Sequence, residues 1–360
     1  MPDASLYPYL LQPKLTPAIW GGHALVEIYG KAGEPGAEIG ESWECWDENA
    51  VCNGPLAGRT VAQLRAELGA NFLGGLDAAR IFPILTKIID ARMALSVQVH
   101  PGDAYAQRVE HQPNGKTECW YVLAADPGAE LVLGWTQETG REEYERRVKD
   151  GSLGEILRRV PVARGDAFYL PAGTLHAIGA GIVVFETQQA SDLTYRIFDW
   201  NRVGPDGTPR QLHVDKAADV LDYGRGTAGA LDELAYTYEG FARTALIADP
   251  HFFVELAVAT QTAAAMGTHA RPLIVMALAS GLELACEGGS AQLAPYQTAL
   301  VPAAAESVRI RSLAAAAPFL CVAPPAEPGM VERRLRDARL PQPAIERFLR
   351  QFEMPAHPAA

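Results

Sequence analysis

The sequence predicts a mainly β protein built as a sandwich or jelly roll, and three observations carry that expectation. Short runs rich in branched and aromatic residues recur along the chain. Gly, Pro and Asp clusters punctuate them at regular intervals, and several runs alternate apolar and polar positions with a period of two. With 360 residues, 48% of them hydrophobic and 21% charged, there is enough apolar material for two cores of ordinary size.

In chain order, "VAQLRAEL" (61–68) reads as a helix. "ALSVQVH" (94–100), "ECWYVL" (118–123), "ELVLGW" (130–135), "DAFYLP" (166–171), "GIVVFETQQ" (181–189) and "LTYRIFDW" (193–200) read as strands. Asp103 is placed to cap a short helix, "AYAQRVEH". "GREEYERRVKDGSLGEILRRV" (140–160) reads as a helical insertion with solvated charged faces. The stretch 213–240 is the best linker, and a second series of short strands begins near 240. The tail "VERRLRDARLPQPAIERFLR" (331–350) reads as helical, with the last residues frayed.

Composition bounds the partners. A formal net charge of −12 argues against a nucleic acid or an anionic membrane surface, although a local basic pocket can still hold a small anion. The five cysteines are odd in number and form no CxxC pair, which fits a reduced compartment. Residues 1–20 lack a basic segment followed by a long apolar one, and no run reaches the roughly 20 apolar residues of a membrane span. The expectation is a cytoplasmic protein; the sequence does not set its oligomeric state.

The chemistry concentrates in three stretches. In "LSVQVHPGD" (95–103), alternation puts Gln98 and His100 side by side on one strand face. In "GKTECW" (115–120), Lys116, Glu118 and Trp120 share a face while Cys119 points away into the core. In "GDAFYLPAGTLHAIG" (165–179), a Gly- and Pro-shaped turn aims His176 inward. Alone, each histidine is a satisfied core or turn residue and Glu118 a paired strand carboxylate. Together they make a set of two imidazoles, a carboxylate and an amide that suits Zn²⁺ or another borderline divalent ion. His23, His111, His213, His251, His269 and His357 lack such company and read as structural or surface residues.

The third stretch fits the second consensus motif of the cupins, with Gln98 standing where the first cupin motif has a histidine. "VQVHP", "GKTECWYVL", "PAGTLHAIG" and "SDLTYRIFDW", joined by "IWGG" (19–22) and "IGESWE" (39–44), together resemble the short bacterial form of the class I mannose-6-phosphate isomerases. The resemblance spans residues 17 to about 215. It implies two cupin-type jelly-roll β-barrels: a metal-binding catalytic domain over 1–225 with helical insertions at 61–68 and 140–160, and a degenerate barrel without metal ligands over 226–330. A helical tail, 331–360, follows. It further implies one zinc per chain, held by Gln98, His100, Glu118 and His176, and a sugar phosphate substrate. The weak amide ligand leaves room for a fifth coordination position, which favours a catalytic over a structural site.

Interconverting mannose 6-phosphate and fructose 6-phosphate moves a proton between C1 and C2 through a cis-enediol. A base within hydrogen-bond reach is required. Lys116, beside the expected cation, reads as an amine whose pKa could fall enough to serve. Glu186 and Arg196 in "FETQQASDLTYR" (185–196) are the other candidates; Arg196 would hold substrate oxygens or the enediolate, unless it pairs with Asp192 or Asp199. Lys87 in "LTKIIDA" (85–91) would assist binding, unless it pairs with Asp90. Residue types alone do not choose the proton shuttle. Two rival readings are a metal-dependent cupin oxygenase, disfavoured by Gln98 and the "GKTE" lysine, and a non-catalytic sugar-binding cupin, disfavoured by the ionisable trio Lys116, Glu186 and Arg196.

Overall fold

The structure is a computed structural model that describes residues 5–77, 80–204, 207–224, 230–324 and 328–352. All its strand pairings are antiparallel, and the described strands fall into four sheets. A six-stranded sheet runs in the order Lys14–Gly22, Ile39–Cys45, Ile84–Ala91, Ile182–Gln189, Glu118–Ala125, Ala167–Leu170. A five-stranded sheet runs Tyr195–Phe198, Val97–Val99, His176–Ala177, Glu130–Trp135, Leu157–Pro161. Between them lies a core of Trp20, Ile89, Trp120, Phe168 and Val184 from one sheet with Leu131 and Leu133 from the other, so the first half is a two-sheet sandwich.

The second half repeats the plan with a seven-stranded and a four-stranded sheet. The mainly β, cupin-type architecture stands, with each half built from paired open sheets. One strand crosses between halves: Tyr9–Leu10 pairs with Thr298–Val301 at the edge of the seven-stranded sheet. The back of the six-stranded sheet contributes Ile84, Ile88, Cys119, Tyr169 and Phe185 to the same large core as the second half. Inside this contact, buried Lys31 bridges Glu44 at 2.7 Å and the carbonyl of Tyr296, and Thr298 donates to Glu44.

The helix at 61–68 forms as expected. Thr60 accepts from the Gln63 amide while the Gln63 side chain reaches back to the Thr60 amide, a complete capping box. Four expectations need correction. The strand expected over 94–100 is confined to Val97–Val99. The helix after His100 is a single turn, Asp103–Tyr105, followed by a π-helical segment, Ala106–Glu110; its N-cap is Gly102, because the Asp103 side chain is drawn elsewhere. Only the first part of 140–160 is helical: Arg141–Asp150 stops at Gly151 in the left-handed region, and after a 3-10 turn Leu157–Pro161 pairs as an edge strand. The stretch 213–240 is no simple linker. Its Val214–Val220 helix buries Ala217 and Ala218 against the outer face of the five-stranded sheet, and Leu234–Tyr238 is already a strand of the second half.

The tail forms two helices, Pro328–Asp337 and Gln342–Arg350, packed on the second half through Leu335, Ile345 and Phe348. The final stretch with His357 lies outside the described residues. All five cysteines are free, and His251 sits in a turn. No helix among the described residues is long and apolar enough to cross a membrane.

Candidate active site

Strand register builds the site as two facing rows. On the six-stranded sheet, Trp43 pairs with Lys87, Lys87 with Glu186 and Glu186 with Trp120. On the five-stranded sheet, Arg196 pairs with Gln98, and Gln98 with His176. Because side chains alternate along a strand, Glu118 lies on the face of Trp120, and Glu41 on that of Trp43. Between the rows sits a cavity of about 400 Å³.

Behind Gln98 and Lys116 of the cavity wall, His100, Glu118 and His176 bring ligand-type atoms within 4.8 Å of one another, all three buried. His100 Nε2 is 3.4 Å from Glu118 Oε2, and His176 Nε2 is 3.3 Å from Glu118 Oε1. Each imidazole has its other nitrogen fixed by a backbone carbonyl. His100 Nδ1 lies 2.8 Å from the oxygen of Leu193, and His176 Nδ1 lies 2.9 Å from that of Thr174. Those bonds make Nδ1 the donor and leave each Nε2 lone pair facing the carboxylate. Burial keeps both rings neutral: it pushes His100 down to about 3, helped by Lys116, and lowers His176 as well. Both Glu118 oxygens are buried; Oε2 lies 2.9 Å from the Lys116 ammonium, while Oε1 makes no hydrogen bond. Two neutral imidazoles aimed at a buried carboxylate fit a divalent cation, and the Gln98 side chain adjoins them, its Nε2 3.3 Å from His176 Nε2.

The turn that delivers His176 depends on Gly173, whose φ of 92° suits glycine and whose amide donates to the His100 carbonyl. The segments carrying His100 and His176 are thereby tied together through the main chain.

The other expected residues gather at the same cavity. Lys116 Nζ is 2.9 Å from Glu118 Oε2 and 3.2 Å from His100 Nε2. Burial opposes its charge, yet Glu118, Glu186 and Asp192 outweigh burial and push the ammonium above the ordinary lysine range. Glu186 accepts from Trp120 Nε1 at 2.8 Å, while its Oε1 makes no hydrogen bond. Burial, reinforced by Glu118, pushes Glu186 up to about 7, against the pull of Lys116 and Lys87. Lys87 does not pair with Asp90, which instead accepts from the Ala24 amide. It sits 3.5–3.8 Å from Glu41, Glu186 and Asp192 and over the Trp43 ring. Arg196 is half-buried: Nη1 donates to the Gln211 carbonyl, and Nε has no partner. Asp199 is taken instead by Arg202 and Arg210.

Among the cavity residues, Glu41, Trp43 and Arg210 escaped the sequence reading, and Asp192 entered it only as a partner for Arg196. Glu41 and Trp43 alternate in "IGESWE" as Gln98 and His100 do in "VQVHP", so the same period-two signal was available for them. Arg210 belongs to no strand and carries no local signal.

A buried two-histidine, one-carboxylate cluster between the sheets of a cupin-type sandwich, beside a charged cavity, defines a protein with a candidate cation site. The chain belongs to the type I phosphomannose isomerases. The family model described as phosphomannose isomerase type I, catalytic domain, matches residues 9–130. A mannose-6-phosphate isomerase of Streptococcus mutans is 40% identical over 252 residues, covering 69% of this chain and 77% of that protein. A probable mannose-6-phosphate isomerase of Bacillus subtilis is 42% identical over 219 residues, covering 60% and 68%. The crystal structure of the mannose 6-phosphate isomerase from Bacillus subtilis superposes with a TM-score of 0.79 at 32% identity, covering 88% of this chain and 99% of that one.

Proposed function

We propose that the protein is a zinc-dependent aldose–ketose isomerase that interconverts mannose 6-phosphate and fructose 6-phosphate by C1–C2 proton transfer. The observation that carries this reading is the buried His100–Glu118–His176 cluster, linked through Lys116 to the cavity that Glu186 also lines. Gln98, His100, Glu118 and His176 would hold the ion. When bound, zinc supplies Lewis-acid stabilisation of charge on the sugar's carbonyl and enediolate oxygens.

The chain's own groups divide the remaining work. The Lys116 ammonium donates a proton to the oxygen that leaves the carbonyl state and recovers one from the oxygen that becomes the new carbonyl, so that it ends the cycle as it began. Glu186, poised near neutrality with one free oxygen, is matched to carrying a proton between the two carbons. Lys87 holds the Glu186 carboxylate in place and lends a cation to binding. Arg196, with Arg210 beside it on the cavity wall, faces the anionic end of the substrate; a local basic wall overrides the net charge of −12. The catalytic machinery is assigned to residues 1–225, with 226–330 as a degenerate second cupin and 331–360 as a tail, in a cytoplasmic enzyme.

A coupled assay of mannose 6-phosphate conversion on untreated, chelator-stripped and zinc-restored protein tests this, with glucose 6-phosphate as control substrate. Turnover should vanish on stripping and return with zinc. A zinc-loaded protein without turnover would refute it.

A further inference from the structure

We propose that Asp103 and Gln189 are positioning residues for Lys116, acting as one bonded pair that fixes the main chain on both sides of it. This rests on the isomerase reading, in which Lys116 is the proton donor. Neither side chain belongs to the cavity wall.

Asp103 Oδ1 accepts from the Gly115 amide at 2.7 Å and from Gln189 Nε2 at 2.9 Å. Gln189 Oε1 in turn accepts from the Thr117 amide at 2.8 Å, and the Gln189 amide donates to the Thr117 carbonyl. The Lys116 amide donates to the Pro101 carbonyl. Three successive amides, 115 to 117, are thus held, the outer two by side chains that are bonded to each other.

The loop also presses against the turn that follows His100. A Cβ on Gly115 would meet Pro101 O and Gly102 C at 2.5 Å, so only glycine permits the approach. This is what draws Asp103 away from capping the helix that begins at its own position. A lysine has four rotatable side-chain bonds and finds its own geometry only if its backbone is fixed. A misplacement of about 1 Å can cost a reaction about a hundredfold.

Both bonds on Asp103 fall on Oδ1, which provides a discriminating pair of variants. Asp103→Ala removes the one acceptor of both bonds, whereas Asp103→Asn retains an oxygen for them. Asp103→Ala should lower kcat roughly tenfold to a hundredfold. Its KM for mannose 6-phosphate and its zinc content per chain should match the parent, and Asp103→Asn should recover most of the loss. Gln189→Glu, nearly isosteric, sets a carboxylate against Asp103 and should reproduce the kcat loss; it carries the test if the alanine variant does not fold. A crystal structure of the impaired variant should show residues 114–117 displaced and the Lys116–Glu118 contact broken.

An unchanged kcat would overturn the proposal. So would a loss of zinc or a rise in KM that accounts for the defect, or Asn performing no better than Ala. If the parent protein binds zinc without turning over the sugar, the isomerase reading fails; an undisplaced Lys116 in the variant structure would then still refute the positioning role on its own.

Discussion

Asp199 shows how one residue arranges charge that would otherwise disperse. It is buried and accepts from Arg210 at 2.6 and 2.7 Å and from Arg202. Burial alone would raise its pKa, but those hydrogen bonds outweigh it and hold the carboxyl below the usual range. A folded-state pKa lower than the unfolded one adds stability that is present above the unfolded value, near 3.9, and lost as pH falls through the folded value. Asp199→Asn should therefore cost about 1–3 kcal/mol at pH 7 and less at about pH 3, below the unfolded value. Urea unfolding at both pH values measures it, and an equal cost at both would contradict the assignment. At this scale the sequence was informative where the signal was local. Gln98, His100, Glu118 and His176 announce themselves because strand alternation and a glycine turn fix their directions before any tertiary contact. The partners of Lys87 were misjudged for the opposite reason. Asp90, three positions on, looked available, yet register places Glu186 and Trp43 beside Lys87 instead.

Elements were legible where their ends are local. The 61–68 helix carries its capping box in its own residues. "LRRVP" reads as more charged helix, and nothing inside it reveals that it will add to the edge of the Glu130–Trp135 strand. The Val214–Val220 helix looks like linker because only the five-stranded sheet it covers explains its two buried alanines. The tail helices raise the same issue energetically. Glu255, 1% exposed, accepts from Arg334 of the first tail helix at 2.6 Å, from Arg243 at 3.3 Å and from the Tyr236 hydroxyl. Glu255→Ala would leave two buried guanidinium groups without their shared carboxylate, at a cost of about 3–5 kcal/mol. The denaturation midpoint should drop accordingly, while kcat under folding conditions stays at the parent value, because the cluster lies in the other half from the cavity. A loss of kcat in the folded variant would mean that the tail acts on the site.

At the scale of the molecule, the question is whether the two halves are separate folding units. The sequence suggests two, from the renewed series of strands after 240. The packing argues for one. A single apolar core runs from the back of the six-stranded sheet into the second half, and the N-terminal strand Tyr9–Leu10 completes the far sheet. Polar groups are buried across the same contact: Lys31 with Glu44 and Thr298, and the Tyr169 hydroxyl donating to Asp249. Separating the halves would expose these groups together with the shared core, so neither half should survive alone at equilibrium. The chain supplies its own probe. All six tryptophans, at 20, 43, 46, 120, 135 and 200, lie in the first half, so their fluorescence reports that half alone, whereas far-ultraviolet circular dichroism reports both. The two signals should trace the same transition in urea, with one midpoint and one slope. Lys31→Ala should shift both curves together, since it weakens a contact that each half needs. Two separated transitions, with fluorescence following only one, would show that the halves fold independently and that the shared core is a docking surface between them.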